Sequence, residues 1–165
     1  MNISATIDYA ATPDEVFAML ADEEFQIRKC IATGARRHTV SISTQGDRTL
    51  IISTRDMPSD DFPSFARSMV GDTLAVTETQ DWGMPGADGV RHGRLTVDIA
   101  GAPIDLDGTL SLAPGDKGSV ETVEGGLKAR IPILGAKIEQ AAAPAIESAI
   151  RVESETGSAW LATRR

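Results

Sequence analysis

The chain is 165 residues long, the length of one domain, and its 24 acidic against 16 basic side chains give a net charge of −8. The basic residues are dispersed, with only Arg36-Arg37 and Arg164-Arg165 as short pairs, which argues against nonspecific binding to nucleic acid or to anionic lipid surfaces. Aromatic residues make up only 4%, so any core or cavity must be lined mostly by aliphatic side chains and alanine.

One cysteine, Cys30, leaves no partner for an intramolecular disulfide. The start, Met1-Asn2-Ile3-Ser4, lacks the basic-then-apolar pattern of a signal peptide, and no apolar run reaches membrane-spanning length. The expectation is a cytoplasmic protein, without integral membrane association, folded as one domain over 1–165.

In chain order, residues 2–9 alternate, with Ile3, Ala5, Ile7 and Tyr9 on one face, which predicts a strand with one wet side. Thr12-Pro13-Asp14-Glu15 opens a helix: Thr12 can cap, Pro13 suits the first turn, and Glu15 stands three residues after the cap. A second short helix runs from Asp22-Glu23-Glu24 to about Ile31 and ends at Gly34. Strands follow at 37–43, with Val40 and Ile42 on one face, and at 48–55, joined by the turn at Gln45-Gly46-Asp47.

Residues 56–72, with Pro58, Pro63 and Gly71, read as a loop with a helical turn around Phe62–Met69. Further strands are predicted at 74–82, 91–100, 104–112 and 119–131, with a bulge at Gly125-Gly126. Tight turns between strands mean antiparallel neighbours, so 36–131 forms a meander of about six strands. A helix from about Leu134 to Thr163 closes the chain, with Ile138, Ala142, Ile146, Ala149, Ile150 and Trp160-Leu161 as its apolar stripe. Pro144 is expected to kink it and Gly157 to loosen its last turns.

A sheet with one dry face needs a cover, and only this last helix is long enough, at roughly 45 Å for 30 residues. The fold class is therefore α+β: a curved antiparallel sheet of about seven strands gripping a long C-terminal helix, with two short helices after the first strand. Such a grip tends to leave a pocket between sheet and helix.

That order of elements, the opening Ala10-Ala11-Thr12-Pro13-Asp14-Glu15-Val16-Phe17-Ala18-Met19-Leu20-Ala21-Asp22, and the entry Ile131-Pro132-Ile133-Leu134-Gly135-Ala136-Lys137-Ile138-Glu139 to the last helix resemble the helix-grip fold of the START-like, or SRPBCC, superfamily. This superfamily includes pollen-allergen proteins, lipid-transfer domains and polyketide cyclases. Within it, the last-helix entry, together with Phe62-Pro63 and Asp81-Trp82, resembles a bacterial family of unknown function. The resemblance covers nearly the whole chain and implies a cavity for a hydrophobic small molecule. It implies no particular reaction, because the superfamily holds enzymes, carriers and regulators on one scaffold.

Few residues invite chemistry. His38 shares a face with Val40 and Ile42, so it can border the cavity as a base or polar anchor, or stand wet at a strand end. His92 shares its face with Arg94, Thr96 and Asp98 and should point outward. The strand at 74–82 is mixed: Leu74, Val76, Glu78, Gln80 and Trp82 on one side, Ala75, Thr77, Thr79 and Asp81 on the other. That suits either a pocket wall with a polar patch or an edge strand wet on both sides. An inward Glu78 should have its pKa raised by desolvation.

Tyr9 reads as a core tyrosine whose hydroxyl needs a partner, and Glu153 as a helix-surface residue beside the stripe. Cys30, next to Lys29 in sequence, reads as structural. No cofactor is expected and no metal-ligand spacing is visible. The cavity-lining set is Tyr9, His38, Val40, Ile42, Glu78, Gln80, Val97, Leu110, Ile146 and Ile150. The leading expectation is a noncatalytic binder or carrier of a hydrophobic small molecule. The alternatives are a partner-binding module with a filled core, using a sheet edge or loop 56–72, and a cyclase- or hydrolase-type enzyme using His38 or Glu78.

Overall fold

The computed structural model describes residues 1–164; Arg165, half of the terminal basic pair, lies outside the described residues. Eleven elements follow in chain order: β1 Asn2–Tyr9, α1 Pro13–Leu20, α2 Glu23–Ala32, β2 Arg37–Gln45, β3 Arg48–Pro58, α3 Ser64–Val70, β4 Thr73–Trp82, β5 Arg91–Ile99, β6 Ile104–Gly115, β7 Gly118–Ala129 and α4 Gly135–Ala162. The local chemistry explains the short helices. The Thr12 hydroxyl accepts from the Glu15 amide at 3.2 Å, and the Asp22 carboxylate accepts from the Glu24 and Phe25 amides at 2.9 and 3.3 Å. Gly34, at φ +89°, takes the left-handed turn that stops α2 and sends the chain into β2.

The seven strands form one antiparallel sheet in the order β1-β7-β6-β5-β4-β3-β2. The meander β2 to β7 is thus extended by the first strand on its far edge, as the tight turns and the wet-sided first strand imply. β4 is flanked by β3 and β5 on its two sides, which removes the edge-strand alternative for its mixed pattern. The ladders also correct the predicted bulge at Gly125-Gly126: pairing runs without a break through both residues, to β6 on one side and β1 on the other. Gly125 faces Gly108, and a Cβ on it would lie 2.7 Å from the Asp107 carbonyl oxygen. The glycines permit a close strand approach, not an extra residue.

Opposed residues share a face, so the register fixes one inner surface across the whole sheet. It runs from His38, Val40 and Ile42 of β2 through Ile51, Ser53 and Arg55, then Glu78, Gln80 and Trp82, then Leu95 and Val97, then Leu106, Leu110 and Leu112, then Ser119, Glu121 and Leu127, to Ile3, Ile7 and Tyr9 of β1. α4, a single helix of 28 residues running through Pro144, packs over β1 and β7, while α2 packs over β2 and touches α4. Ile138, Trp160 and Leu161 anchor the two ends of α4 in the core. Trp160 stacks edge-on against Phe25 of α2, and Phe17 of α1 does the same against Trp82 of β4.

Candidate functional site

Beneath α4 the apolar lining gives way to charge. α2 buries Phe25, Gln26, Lys29 and Cys30, spaced at one helical face, so Lys29 is carried into the interior with its apolar neighbours. Its ammonium donates to Glu78 Oε1 on β4 and to Glu153 Oε2 on α4, each at 3.0 Å. Glu78 in turn accepts from Arg55 Nη2 on β3 at 3.0 Å and from Gln80 Nε2 at 2.8 Å. Gln80 returns its carbonyl oxygen to the Trp82 indole N–H at 2.9 Å. Four elements (α2, β3, β4 and α4) are thereby tied through one ionic chain. The side chain of Lys29 is 2% exposed, while Glu78 and Glu153 each keep 14%.

Two further groups join from the other end of the sheet. Glu121 of β7 is fully buried, and desolvation, followed by the negative charge of Glu153, pushes its carboxyl well above the usual range. Tyr9 of β1 is also fully buried, and desolvation followed by the charges of Glu153 and Glu121 holds its phenol far above its ordinary value. Among the described residues the Tyr9 hydroxyl has no hydrogen-bond partner. The ring fits against α4 because residue 157 is glycine: a Cβ there would stand 2.7 Å from Tyr9 Cε1 and 3.0 Å from its hydroxyl. Gly157 is therefore a packing requirement, and the loosening expected of it is not its main effect.

Glu78 reverses the sequence-based expectation. Burial does oppose its charge, but the Lys29 ammonium and the Arg55 guanidinium outweigh it and hold the carboxyl down at about 2. Glu153, expected on the helix surface, points inward into the Lys29 contact. Cys30 is buried and its thiol is pushed up, first by desolvation. His92 is exposed and outward, as its face implied.

The cavity-lining set divides into three groups. Tyr9, Gln80 and Leu110 are sealed in packed core. His38, Val40 and Ile42 lie on the inner face of edge strand β2, half-buried, with His38 directly opposite Arg55. Val97 stands across from Glu78, half-buried like Val76 and Ile99 next to it on the same face, and these three form an aliphatic wall leading to the charged cluster. Ile146 and Ile150 line a groove of about 540 Å³ between α4 and β1, shared with Ile3, Ala5 and Ile7. The residues that sequence reasoning missed, Lys29, Arg55 and Glu121, each occupy a core-facing register position.

This arrangement, one curved sheet closed on a long terminal helix with buried polar groups in the grip, defines a helix-grip protein. Solved structures agree: TTHA0849 from Thermus thermophilus superposes with a TM-score of 0.62 at 16% identity, covering 96% of this chain and 98% of that one. The Zhui aromatase/cyclase from Streptomyces sp. R1128 gives 0.61 at 12% identity, covering 99% and 94%. Residues 4–161 match the family described as Protein of unknown function (DUF2505), and the chain belongs to that family. A relative, the uncharacterized protein Rv0481c of Mycobacterium tuberculosis, is 25% identical over 162 residues, 93% of this chain and 92% of its own length. Among the described residues no helix is long and apolar enough to cross a membrane.

Proposed function

We propose that this chain is a noncatalytic binder or carrier of a hydrophobic small molecule, lipid- or polyketide-like, held between α4 and the inner face of the sheet. The same reading assigns the family to the START-like superfamily. The observation that carries it is the aliphatic wall Val76, Val97 and Ile99, left half-buried on the inner face of the sheet beside the charged cluster. Apolar walls with a few fixed polar groups are what a small-molecule site requires. The charged groups at the end of that wall neutralise one another, and a carboxyl held at about 2 is a poor proton donor or acceptor near neutrality. That favours binding over acid–base chemistry. Of the fold neighbours, the Streptomyces protein is an aromatase/cyclase, and polyketide-like compounds belong in the screen for that reason.

The test is a thermal-shift screen against fatty alcohols, amines and acids, phospholipids and polycyclic aromatics. At least one class should raise the melting temperature by several degrees with saturating dependence on concentration. A flat response across the panel would reject the reading. A second reading, a module for a protein partner, draws on α3 in loop 56–72, where Phe65 and Met69 are 36% and 40% exposed. Light scattering and binding assays on Phe65→Ser/Met69→Ser variants would separate the two, because ligand binding under α4 should survive those changes.

A further inference from the structure

The groove between α4 and β1 runs along an edge of the sheet. Met1 to Ile7 line it without a gap. Successive side chains of a strand point to opposite faces, so a space touched by every residue in a row lies beside the strand and not on one of its faces. β1 is the terminal strand and bonds to β7 on its other side, so alternate residues turn their N–H and C=O groups toward this groove. The usual guards of an edge are missing. The eight residues of β1 hold no proline or lysine, and their one charge is Asp8 near the end of the strand. The opposite wall is a stripe of α4 at three- and four-residue spacing from Ala143 to Glu155. Ile146 and Ile150 are half-buried in it, and Glu147 and Arg151 are exposed.

We propose that a second copy of this chain docks here, β1 pairing antiparallel with β1 about a two-fold axis so that the two sheets become one. Strand and helix run in the same direction, since the Met1 ammonium reaches Glu139 near the start of α4 and Tyr9 packs against Gly157 near its end. From Met1 to Ile7 the strand covers about 20 Å. From Ala143 to Glu155 the helix covers about 18 Å. Ser4 and Ala149 therefore stand at one level, midway along the groove. A two-fold axis at that level, perpendicular to the sheet, puts both α4 helices on the same side and antiparallel. Each α4 packs over β1 and β7, one strand spacing from the axis. Two spacings make about 10 Å, the distance at which helices pack. The same axis sets Ile3 of one copy across from Ala5 of the other, and Glu147 across from Arg151. An isologous contact repeats, so the acid–base pair forms twice. The Arg151 guanidinium, 65% exposed, has donors to give beyond its contacts with Ser148 and Glu155 of its own helix.

Sedimentation equilibrium of the full chain over about 1 to 100 μM tests this. The mass should rise to twice the 17.5 kDa of one chain. Ala5→Lys, which brings a charge into the groove, should hold the protein monomeric. Arg151→Glu and Glu147→Arg each set like charges face to face across the axis and should weaken the dimer about tenfold or more. Mixed in equal amounts, those two variants restore both opposite-charge contacts and should recover the parental affinity. Circular-dichroism melts check that each variant is folded, and the exposed positions 147 and 151 keep the test open if Ala5→Lys is not. A monomer across the whole range overturns the proposal and leaves the groove to a strand of another protein or to a small molecule. A dimer indifferent to the charge reversals, or no recovery on mixing, overturns it as well.

Discussion

The ammonium of Lys29 and the carboxylate of Glu153 meet at 3.0 Å although 124 residues separate them in the chain. Their contact joins the second helix to the last one, and Glu78, bound to the same ammonium, extends the bridge to β4 of the sheet. A buried ion pair of this kind seldom adds stability beyond what well-packed apolar residues would supply, but losing one partner is costly because the other charge stays behind. Lys29 thus ties α2, β4 and α4 together at one point of the grip.

Replacing Lys29 with methionine keeps the volume and removes the charge, leaving Glu78 and Glu153 facing each other in a poorly solvated space. The expected loss is about 3–5 kcal/mol in urea-induced unfolding. The double variant Lys29→Met/Glu153→Gln keeps the Glu78–Arg55 pair and removes the orphaned carboxylate, so it should recover most of that loss. A double variant no more stable than Lys29→Met would show that the contact is incidental.

Two buried carboxyls set opposite pH dependences. Glu78 is held at about 2 in the folded chain against an ordinary 4.5, so the stability it contributes is full above 4.5 and is lost as pH falls toward 2. Glu121 is raised in the folded chain, so folding takes up a proton there, and its contribution declines as pH climbs from about 4.5 toward the raised value. Unfolding free energies measured from pH 3 to pH 9 should therefore fall on both sides of a maximum near pH 5. Glu121→Gln should flatten the alkaline side and leave the acid side in place. A constant offset between variant and parent over pH 5–9 would contradict the upward shift of the Glu121 carboxyl.

Gly157 gives a test with an unusual sign. In an exposed helix interior, glycine to alanine stabilises by about 1 kcal/mol. Here the new Cβ would lie 2.7 Å from the Tyr9 ring and 3.1 Å from Met19 Cε, so Gly157→Ala should destabilise by roughly 1–3 kcal/mol. Combining it with Tyr9→Leu removes the obstructing hydroxyl end of the ring, and the cycle should report a coupling energy above about 1 kcal/mol. Additive effects would mean that Tyr9 moves aside at no cost.

Most of the scaffold was legible because it rests on local signals. The alternation at residues 2–9, the Thr12 and Asp22 caps and the turn at Gln45-Gly46-Asp47 each act within a few residues, and together with tight turns they leave few topologies. The site was much less so. Glu153 falls on the α4 stripe, three residues after Ile150 and seven before Trp160, and Lys29 follows Phe25 by one helical turn. A charged residue on an apolar stripe looks like the stripe's margin until its counter-charge is known. Here the counter-charges come from segments 49 and 124 residues away. Glu78 shows the same limit in its pKa. Desolvation was foreseeable from its strand face, but the two cations that overrule it were not, because neither Lys29 nor Arg55 is near it in sequence.

The aliphatic wall makes the binding proposal testable without knowing the natural ligand. Val97 is half-buried on the inner face between Glu78 of β4 and Leu106 of β6. Val97→Trp adds about seven heavy atoms where the surrounding surface is partly open, so the overpacking penalty of a closed core, about 1–3 kcal/mol, should be largely avoided. The apolar area the indole covers should offset what remains. The variant is expected to melt within a few degrees of the parent in buffer but to lose the ligand-induced rise in melting temperature. A substitution on the outer face, Thr96→Trp, serves as the control and should keep that rise. If Val97→Trp retains the full ligand effect, the binding space lies elsewhere, and the groove between α4 and β1 lined by Ile146 and Ile150 becomes the next place to block.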